Sequence, residues 1–261
     1  MDRARVKTRR IAVRREPGGM GKDDVAVEEP LEIRVEGIAA AVTMRTPGDD
    51  LDLAAGFLLT EGVVDGWDDI RAMAVVGENT VDVRLAEGVP AGRARSADRA
   101  FYASSSCGIC GKASIDRIRR GGAVAGWLPS SAILSGLPDA LAAMQAGFAS
   151  SGGLHGAALF DVSGTLFDAR EDVGRHNAVD KTFGARLRAD TGFIGLGLVV
   201  SSRAGFEIVQ KAVAAGVGCV VAFGAPTTLA VDAAFAAGLT LVAWARSERR
   251  SVYSPTSPPT R

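Results

Sequence analysis

Two cysteines, Cys107 and Cys110, have the spacing and surroundings of reactive thiols. They lie in a run rich in serine and glycine, which offers few apolar side chains for burial. The apolar spacing downstream predicts a short helix beginning just after Cys110. The positive end of that helix and the cation of Lys112 both favour the thiolate, the nucleophilic form of cysteine. The sequence therefore predicts a mobile loop over residues 101–112 that carries a reactive dithiol.

Three chemistries use a Cys-x-x-Cys pair: dithiol redox exchange, half of a zinc site, and relay of sulfur through a persulfide. A zinc site of two cysteines and two histidines would need His155 and His176, which are far apart and lack the usual histidine spacing. A zinc nucleoside deaminase needs a His-x-Glu motif ahead of Pro-Cys-x-x-Cys, whereas here the cysteines come first and no proline precedes Cys107. We therefore expect no catalytic zinc. Thioredoxin-type exchange and sulfur relay both stay open.

The third cysteine, Cys219, lies in an apolar run that predicts a buried strand, so its expected role is packing. An odd number of cysteines without a secretory signal favours a reducing compartment over a disulfide framework. The chain also lacks an unbroken apolar run of membrane-spanning length. These features predict a cytoplasmic protein that has no membrane partner.

Charge is balanced over the chain, with 30 lysines and arginines against 30 aspartates and glutamates. No overall field attracts nucleic acid, so we expect no nucleic-acid partner. Basic residues instead crowd the N-terminus, and this pattern, with the run Pro17-Gly18-Gly19, predicts a solvated, flexible arm over residues 1–24. The serine- and proline-rich tail 254–261 is expected to be disordered.

Between these ends, residues 25–100 are predicted to form a small α+β subdomain. Alternating apolar residues indicate half-buried strands, which are expected at 31–36, 39–45, 70–76 and 80–85. Apolar residues at helical spacing follow Asp49 and Asp50, and the helix they predict ends at Gly62.

Residues 113–253 are predicted to form an α/β core. A helix is expected at 138–148, entered at Pro138, followed by a hairpin and by a helix that begins at Asn177 with Arg175 and His176 at its start. Apolar strands then alternate with helices, and they are expected at 196–200, 219–223 and 239–244. This β-α-β-α-β order implies a parallel sheet, so the loops after its strands open on one edge, where ligands bind.

The residues of that edge suit an anionic, aromatic ligand. The first two loops lead into helices and carry polar groups that can bind phosphate or carboxylate, namely Ser202, Arg203, Thr227 and Thr228. In the third loop, Trp244 beside Arg246 offers an aromatic face and a guanidinium, which suit a nucleobase and its phosphates. Each residue also has a structural alternative, since Thr227 can cap a helix and Trp244 can complete the core.

Several motifs, in the same order, resemble those of the FdhD family of formate dehydrogenase accessory sulfurtransferases. The matching runs are 46–50, 56–58, 105–111, 153–155, 171–181, 202–203 and 226–228. The likeness spans about residues 25–253. It implies a cytoplasmic homodimer with a three-layer α/β/α core that is similar to cytidine deaminase and lacks the catalytic zinc.

The resemblance also implies a function. A cysteine desulfurase would pass sulfur to the Cys-x-x-Cys pair, with the persulfide on Cys107 and Cys110 assisting the relay. The sulfur would then reach the molybdenum (or tungsten) bis(molybdopterin guanine dinucleotide) cofactor before the cofactor is inserted into formate dehydrogenase.

The guanine nucleotide end of the cofactor is expected at an aromatic-x-Arg segment. Here that segment consists of Trp244, Ala245, Arg246, Ser247, Glu248 and Arg249. Many relatives have phenylalanine at the first position, so Trp244 is a mild departure that keeps stacking possible. Position and resemblance add His155, His176 and the four polar loop residues to the same expected cofactor site.

Overall fold

The computed structural model describes residues 7–90, 123–246 and 250–253. Cys107, Cys110 and the predicted loop 101–112 lie outside the described residues, as do positions 247–249 and the tail 254–261. Within the described ranges the fold is mixed α/β, as the sequence predicts. No helix in these ranges is long and apolar enough to cross a membrane.

Twelve strands lie in the described residues. In the first half they are β1 (Thr8–Arg15), β2 (Gly19–Ala26), β3 (Glu29–Val35), β4 (Ile38–Arg45), β5 (Ile70–Gly77) and β6 (Thr80–Leu85). In the second half they are β7 (His155–Phe160), β8 (Leu166–Asp172), β9 (Gly197–Val200), β10 (Cys219–Ala222), β11 (Thr240–Ala243) and β12 (Ser251–Tyr253). Of these, β1, β2 and β12 were not predicted from the sequence.

The helices separate these strands. They are α1 (Asp50–Thr60), α2 (Ser131–Ala143), α3 (Ala146–Ser151), α4 (Arg175–Arg188), α5 (Phe206–Ala215) and α6 (Thr228–Ala237), with a short 3-10 turn at Trp67–Asp69.

Residues 8–26 form a hairpin, whereas the sequence predicted a flexible arm over residues 1–24, of which positions 1–6 lie outside the described residues. Strands β1 and β2 pair antiparallel from Thr8 opposite Ala26 to Arg15 opposite Gly19. Two aspartates of β2 lie near arginines of β1, with Arg15 3.8 Å from Asp23 and Arg10 4.0 Å from Asp24. The prediction rested on the basic charge and did not consider pairing with the following strand, which orders the segment. The glycines at 18 and 19 supply the positive φ of the turn.

Helix α2 corrects a second prediction. The sequence placed a helix at 138–148 with Pro138 at its start, whereas α2 begins seven residues earlier and contains Pro138 in its interior. The hydroxyl of Ser130 accepts a hydrogen bond from the amide of Ile133 at 3.3 Å and caps this earlier start. Pro138 is buried, so its ring packs in the core at the cost of one helix hydrogen bond. Helix α2 ends at Ala143, and Gln145 lies between it and the next helix, α3.

A six-stranded sheet with helices on both faces forms the core. Its order is β12-β11-β10-β9-β7-β8, in which β9, β10 and β11 are parallel. Neighbouring residues of each strand point to opposite faces. Leu198 packs with the helices α4, α5 and α6, while Val199 packs with Leu137 and Leu141 of α2. The three-layer arrangement expected from the resemblance is therefore present.

The N-terminal subdomain shares one continuous core with this sheet. Its four strands have the order β4-β3-β6-β5, and α1 lies between them and α4. The two helices cross closely at Gly56 and Gly184, where each glycine faces the backbone of the other helix. This contact fixes the subdomain against the helix whose first turn carries Arg175 and His176.

Candidate functional site

Three loops and one strand start meet at one edge of the six-stranded sheet. The parallel strands β9, β10 and β11 end there, and the antiparallel strand β7 begins there with His155. Backbone hydrogen bonds join the loops: the amide of Gly224 donates to Ser202 at 3.1 Å, and the amide of Trp244 donates to Gly224 at 3.2 Å. The predicted edge therefore exists, and its loops are held together as one unit.

A cavity of about 210 Å³ opens at this edge, between α3 and the sheet. Its lining includes Gln145, Phe148, Leu154, His155, Ser201 and Arg246. His155 and Arg246 belong to the predicted site. The other predicted residues lie at the same edge of the sheet, but among the described residues they do not line the cavity. They are Ser202, Arg203, Thr227, Thr228, His176, Trp244 and Ala245.

The cation at this cavity is held in place by an aromatic ring. The guanidinium carbon of Arg246 lies 4.5 Å from the centroid of the Phe223 ring, while the arginine side chain remains exposed. An arginine in this position presents a planar set of donors to phosphate or carboxylate. Trp244, two residues earlier, is 46 % exposed and has a φ of 60°. Its indole is therefore available for stacking next to the cavity.

His155 is half-buried at the cavity wall. Burial lowers the pKa of His155, and the nearby positive charge of Arg175 lowers it further. Its ordinary value of 6.5 is already below neutrality, so the imidazole is uncharged at pH 7. A neutral imidazole can donate one hydrogen bond and accept another.

His176, in the first turn of α4, faces Glu207 in the first turn of α5. The atoms Nε2 and Oε2 are 3.7 Å apart, which is the distance of an ion pair and too long for a hydrogen bond. The imidazole of His176 nevertheless lowers the pKa of Glu207 to about 2. The pair therefore ties the start of α4 to the start of α5, beside the edge of the sheet.

This lowered pKa makes part of the stability depend on pH. A carboxyl whose pKa falls from 4.5 to about 2 on folding stabilises the protein in full above pH 4.5, and this contribution disappears as the pH falls through about 2. We expect Glu207→Gln to lower the free energy of unfolding by about 1 kcal/mol at pH 7. Urea denaturation at pH 7 and pH 3 should show the difference shrinking at the lower pH. The exposed Glu87→Gln is the control, and a pH-independent loss for Glu207→Gln would contradict the assignment.

Two of the predicted polar residues make local hydrogen bonds within the fold. The hydroxyl of Thr227 accepts a hydrogen bond from the amide of Ala230 at 3.2 Å and caps α6. The hydroxyl of Ser202 donates to the carbonyl of Arg203 at 3.1 Å. For Thr227 the structural alternative considered from the sequence is thus the one observed.

Gln145 and Phe148 are among the cavity residues that the sequence did not assign to the site. The predicted helix 138–148 treated both as positions on a regular helix. In the structure, the helix is interrupted between α2 and α3, and the chain reverses direction at Gly152, which has a φ of 65°. Both residues therefore lie over the start of β7. The glycine pair at 152–153 was the available sequence signal, and it indicates a tight return without revealing what it encloses.

A buried carboxylate fixes α3 in this position. Glu171, at the end of β8, is 4 % exposed and accepts hydrogen bonds from the amides of Gly147 at 3.0 Å and Phe148 at 2.8 Å. These amides are unpaired donors of the first helical turn, so the carboxylate caps the helix. A Cβ at Gly147 would come within 2.6 Å of Cδ1 of Leu154 and 3.0 Å of Oε2 of Glu171, so a larger residue there would displace these side chains.

No cluster of three or more histidine, cysteine, aspartate or glutamate residues could hold a metal ion in the described part of the chain. Cys219 is the first residue of β10 and is fully buried. Burial raises the pKa of its thiol, so it stays protonated and unreactive. Its packing role, predicted from the sequence, is confirmed.

Comparison with known proteins decides the relationship of this chain. The FdhD/NarQ family matches residues 26–258. The chain belongs to the FdhD/NarQ family. A Sulfur carrier protein FdhD from Streptomyces avermitilis is 46 % identical over 96 % of this chain and 94 % of its own length. One from Mycobacterium tuberculosis is 45 % identical over 89 % and 90 %.

A solved structure has the same fold. The crystal structure of a protein from Desulfotalea psychrophila, described as a formate dehydrogenase accessory protein, matches with a TM-score of 0.74. It covers 95 % of this chain and 96 % of its own length, at 24 % identity. The fold described above is therefore shared with this protein.

Proposed function

We propose that this protein is a sulfur carrier for formate dehydrogenase maturation. It takes sulfur from a cysteine desulfurase as a persulfide on Cys107 and transfers it to the molybdenum bis(molybdopterin guanine dinucleotide) cofactor, which is its substrate. Membership of the FdhD/NarQ family supports the carrier role, since relatives covering most of the chain are named sulfur carriers. The observation that carries the proposal is the Cys107-Gly-Ile-Cys110 pair in a chain of this family.

Burial of Cys219 restricts the chemistry to this pair. The chain has three cysteines, and Cys219 is enclosed in the sheet with its thiol protonated. A persulfide forms by attack of a thiolate on an incoming sulfur, which requires access to the donor. Cys107 and Cys110 are therefore the thiols that this function would use.

Uptake is a thiol exchange that consumes no oxidant. The thiolate of Cys107 attacks the terminal sulfur of the persulfide on the desulfurase. A new sulfur–sulfur bond forms at Cys107, the one on the desulfurase breaks, and the desulfurase cysteine leaves as a thiolate. One sulfur–sulfur bond forms as another breaks, and one thiolate enters as another leaves, so the step involves no net oxidation or reduction.

Delivery uses the second thiol. The thiolate of Cys110 attacks the inner sulfur of the Cys107 persulfide, a Cys107–Cys110 disulfide forms, and the outer sulfur leaves as hydrosulfide for the metal of the substrate cofactor. The two electrons that reduce this sulfur come from the two thiols. A dithiol reductant of the thioredoxin class then restores the pair. This scheme gives Cys110 the relay role.

The edge cavity is the place where this proposal puts one end of the cofactor. The guanidinium of Arg246 suits its phosphates, and the indole of Trp244 can stack on an aromatic ring. Ser247, Glu248 and Arg249 continue the same segment outside the described residues. A homodimer, as the family resemblance implies, is part of the same proposal.

Intact-protein mass spectrometry tests the carrier role directly. The purified chain is incubated with cysteine and a cysteine desulfurase, and compared with Cys107→Ala, Cys110→Ala and Cys219→Ala. We expect a gain of one sulfur that reductant removes, lost in Cys107→Ala and kept in Cys219→Ala. The gain should be clearest in Cys110→Ala, because its persulfide cannot be resolved into the Cys107–Cys110 disulfide. An intramolecular disulfide in the wild type together with no sulfur gain in Cys110→Ala would replace the carrier role with thiol–disulfide exchange.

A further inference from the structure

One buried side chain at the cavity lacks the partners that its chemistry requires. Gln145 is 2 % exposed, and neither Nε2 nor Oε1 of its carboxamide has a hydrogen-bond partner among the described residues. A buried amide without partners costs free energy, and most such groups in folded proteins are paired. Methionine or leucine would fill the same space without this cost. A polar residue at this position therefore indicates a partner that the described residues do not supply, such as a bound ligand.

The fold holds this amide next to the cavity. Gln145 immediately precedes α3, and its carboxamide packs against Gly156, where a Cβ would come within 2.5 Å of the amide carbon. Gly156 in turn follows His155, which lines the same cavity as Gln145. Glu171 accepts hydrogen bonds from the amides of Gly147 and Phe148, and these bonds fix the backbone that follows Gln145. The amide therefore has a defined position at the cavity wall.

The lining of the cavity restricts the kind of ligand. Phe148 contributes an aromatic ring, His155 a neutral imidazole and Ser201 a hydroxyl, while Arg246 provides a cation. None of the described residues that line it is acidic. Such a set favours a planar, uncharged ring that carries an anionic group at one end.

We propose that Gln145 recognises a ring lactam, in which a carbonyl lies next to a ring N–H. Its Nε2 would donate to the carbonyl and its Oε1 would accept from the N–H, so that one amide satisfies two ligand groups. The polar atoms of the amide are buried in this structure. The terminal side-chain torsion of glutamine has a broad range of allowed angles, and rotation about it would turn the amide towards the cavity. This inference rests on the proposed function, because the substrate cofactor carries this lactam in both its guanine and its pterin.

Isothermal titration calorimetry on the full chain tests the assignment. The probes are guanosine monophosphate, neopterin and purine riboside monophosphate, whose base carries neither the carbonyl nor the ring N–H. We expect the wild type to bind at least one lactam probe about tenfold or more tightly than the unsubstituted purine probe. Preference for guanosine monophosphate or for neopterin shows which ring the cavity takes. Equal binding of lactam and unsubstituted purine probes, or no binding of any lactam probe, would overturn the proposal.

Two variants separate recognition from packing. Gln145→Met keeps the length of the side chain and removes both polar atoms. We expect it to weaken lactam binding about tenfold or more and to bring the ratio of lactam to unsubstituted purine binding near one. Gln210→Met makes the same change on α5, outside the cavity lining, and should bind like the wild type. Unchanged binding by Gln145→Met would refute the role of Gln145.

The melting temperature of Gln145→Met without ligand distinguishes ligand recognition from a structural role of the amide. Removing an unsatisfied buried amide should leave the melting temperature of Gln145→Met equal to or above that of the wild type. A clear fall would mean that the amide is paired within the folded protein, against the proposal. The outcomes are independent of sulfur uptake at Cys107, so failure of the carrier role and failure of this inference can be told apart.

Discussion

Cells whose only copy of this protein carries Cys107→Ala are expected to lose formate dehydrogenase activity, to about the level of cells without the protein. Cys107 is the proposed acceptor of sulfur, and neither remaining thiol can replace it. Cys110 would lack the persulfide on which it acts, and Cys219 is enclosed in the sheet. Formate-dependent dye reduction in extracts measures the activity, and immunoblotting measures the amount of the variant protein.

Cys219→Ala is the matched control for this experiment. It removes a buried thiol from the start of β10, so it should lower the free energy of unfolding by on the order of 1 kcal/mol and leave formate dehydrogenase activity intact. The pair of variants thus separates loss of a thiol from loss of the reactive thiol. If Cys107→Ala supported normal activity at a normal protein level, the assignment of the persulfide would have to be abandoned.

The α/β core was predictable because its signals are local. Apolar runs such as those of β9 and β10 end in loops rich in serine and glycine, and each following helix shows regular apolar spacing. The parallel order then places all three loops on one edge without further information. His155 could be assigned to the same edge from the motif that it carries, and the structure confirms that it lines the cavity together with Arg246.

The features that the sequence did not reveal depend on distant partners. The N-terminal hairpin needs the acidic side chains of β2 opposite the arginines of β1, and a charge count along one strand cannot show this pairing. Gln145 looks like any polar residue near the end of a helix. Its burial depends on Glu171, which is 26 positions later in the chain and caps the short helix over the sheet. Local sequence patterns do not predict contacts between residues that are distant in the chain.

The crossing of α1 and α4 should tolerate no side chain at its centre. An added Cβ at Gly184 would overlap the backbone carbonyl of Asp52, and one at Gly56 would overlap the carbonyl of Asp180. Because the obstacle in each case is backbone, rotation of a side chain cannot relieve it. The two helices would have to separate, and this would open the buried contact between the N-terminal subdomain and the core.

We therefore expect Gly184→Ala to lower the free energy of unfolding by about 3 kcal/mol or more, as measured by urea denaturation. The control is Gly136→Ala in α2, where an added Cβ meets nothing within 4 Å. There the same substitution should raise stability by roughly 0.5 to 1 kcal/mol, because alanine favours a helix more than glycine does. Opposite signs at the two positions would show that close helix contact, and not helix propensity, requires glycine at the crossing. Similar effects at both would mean that α1 and α4 do not approach this closely, and that the subdomain is held mainly by its other contacts.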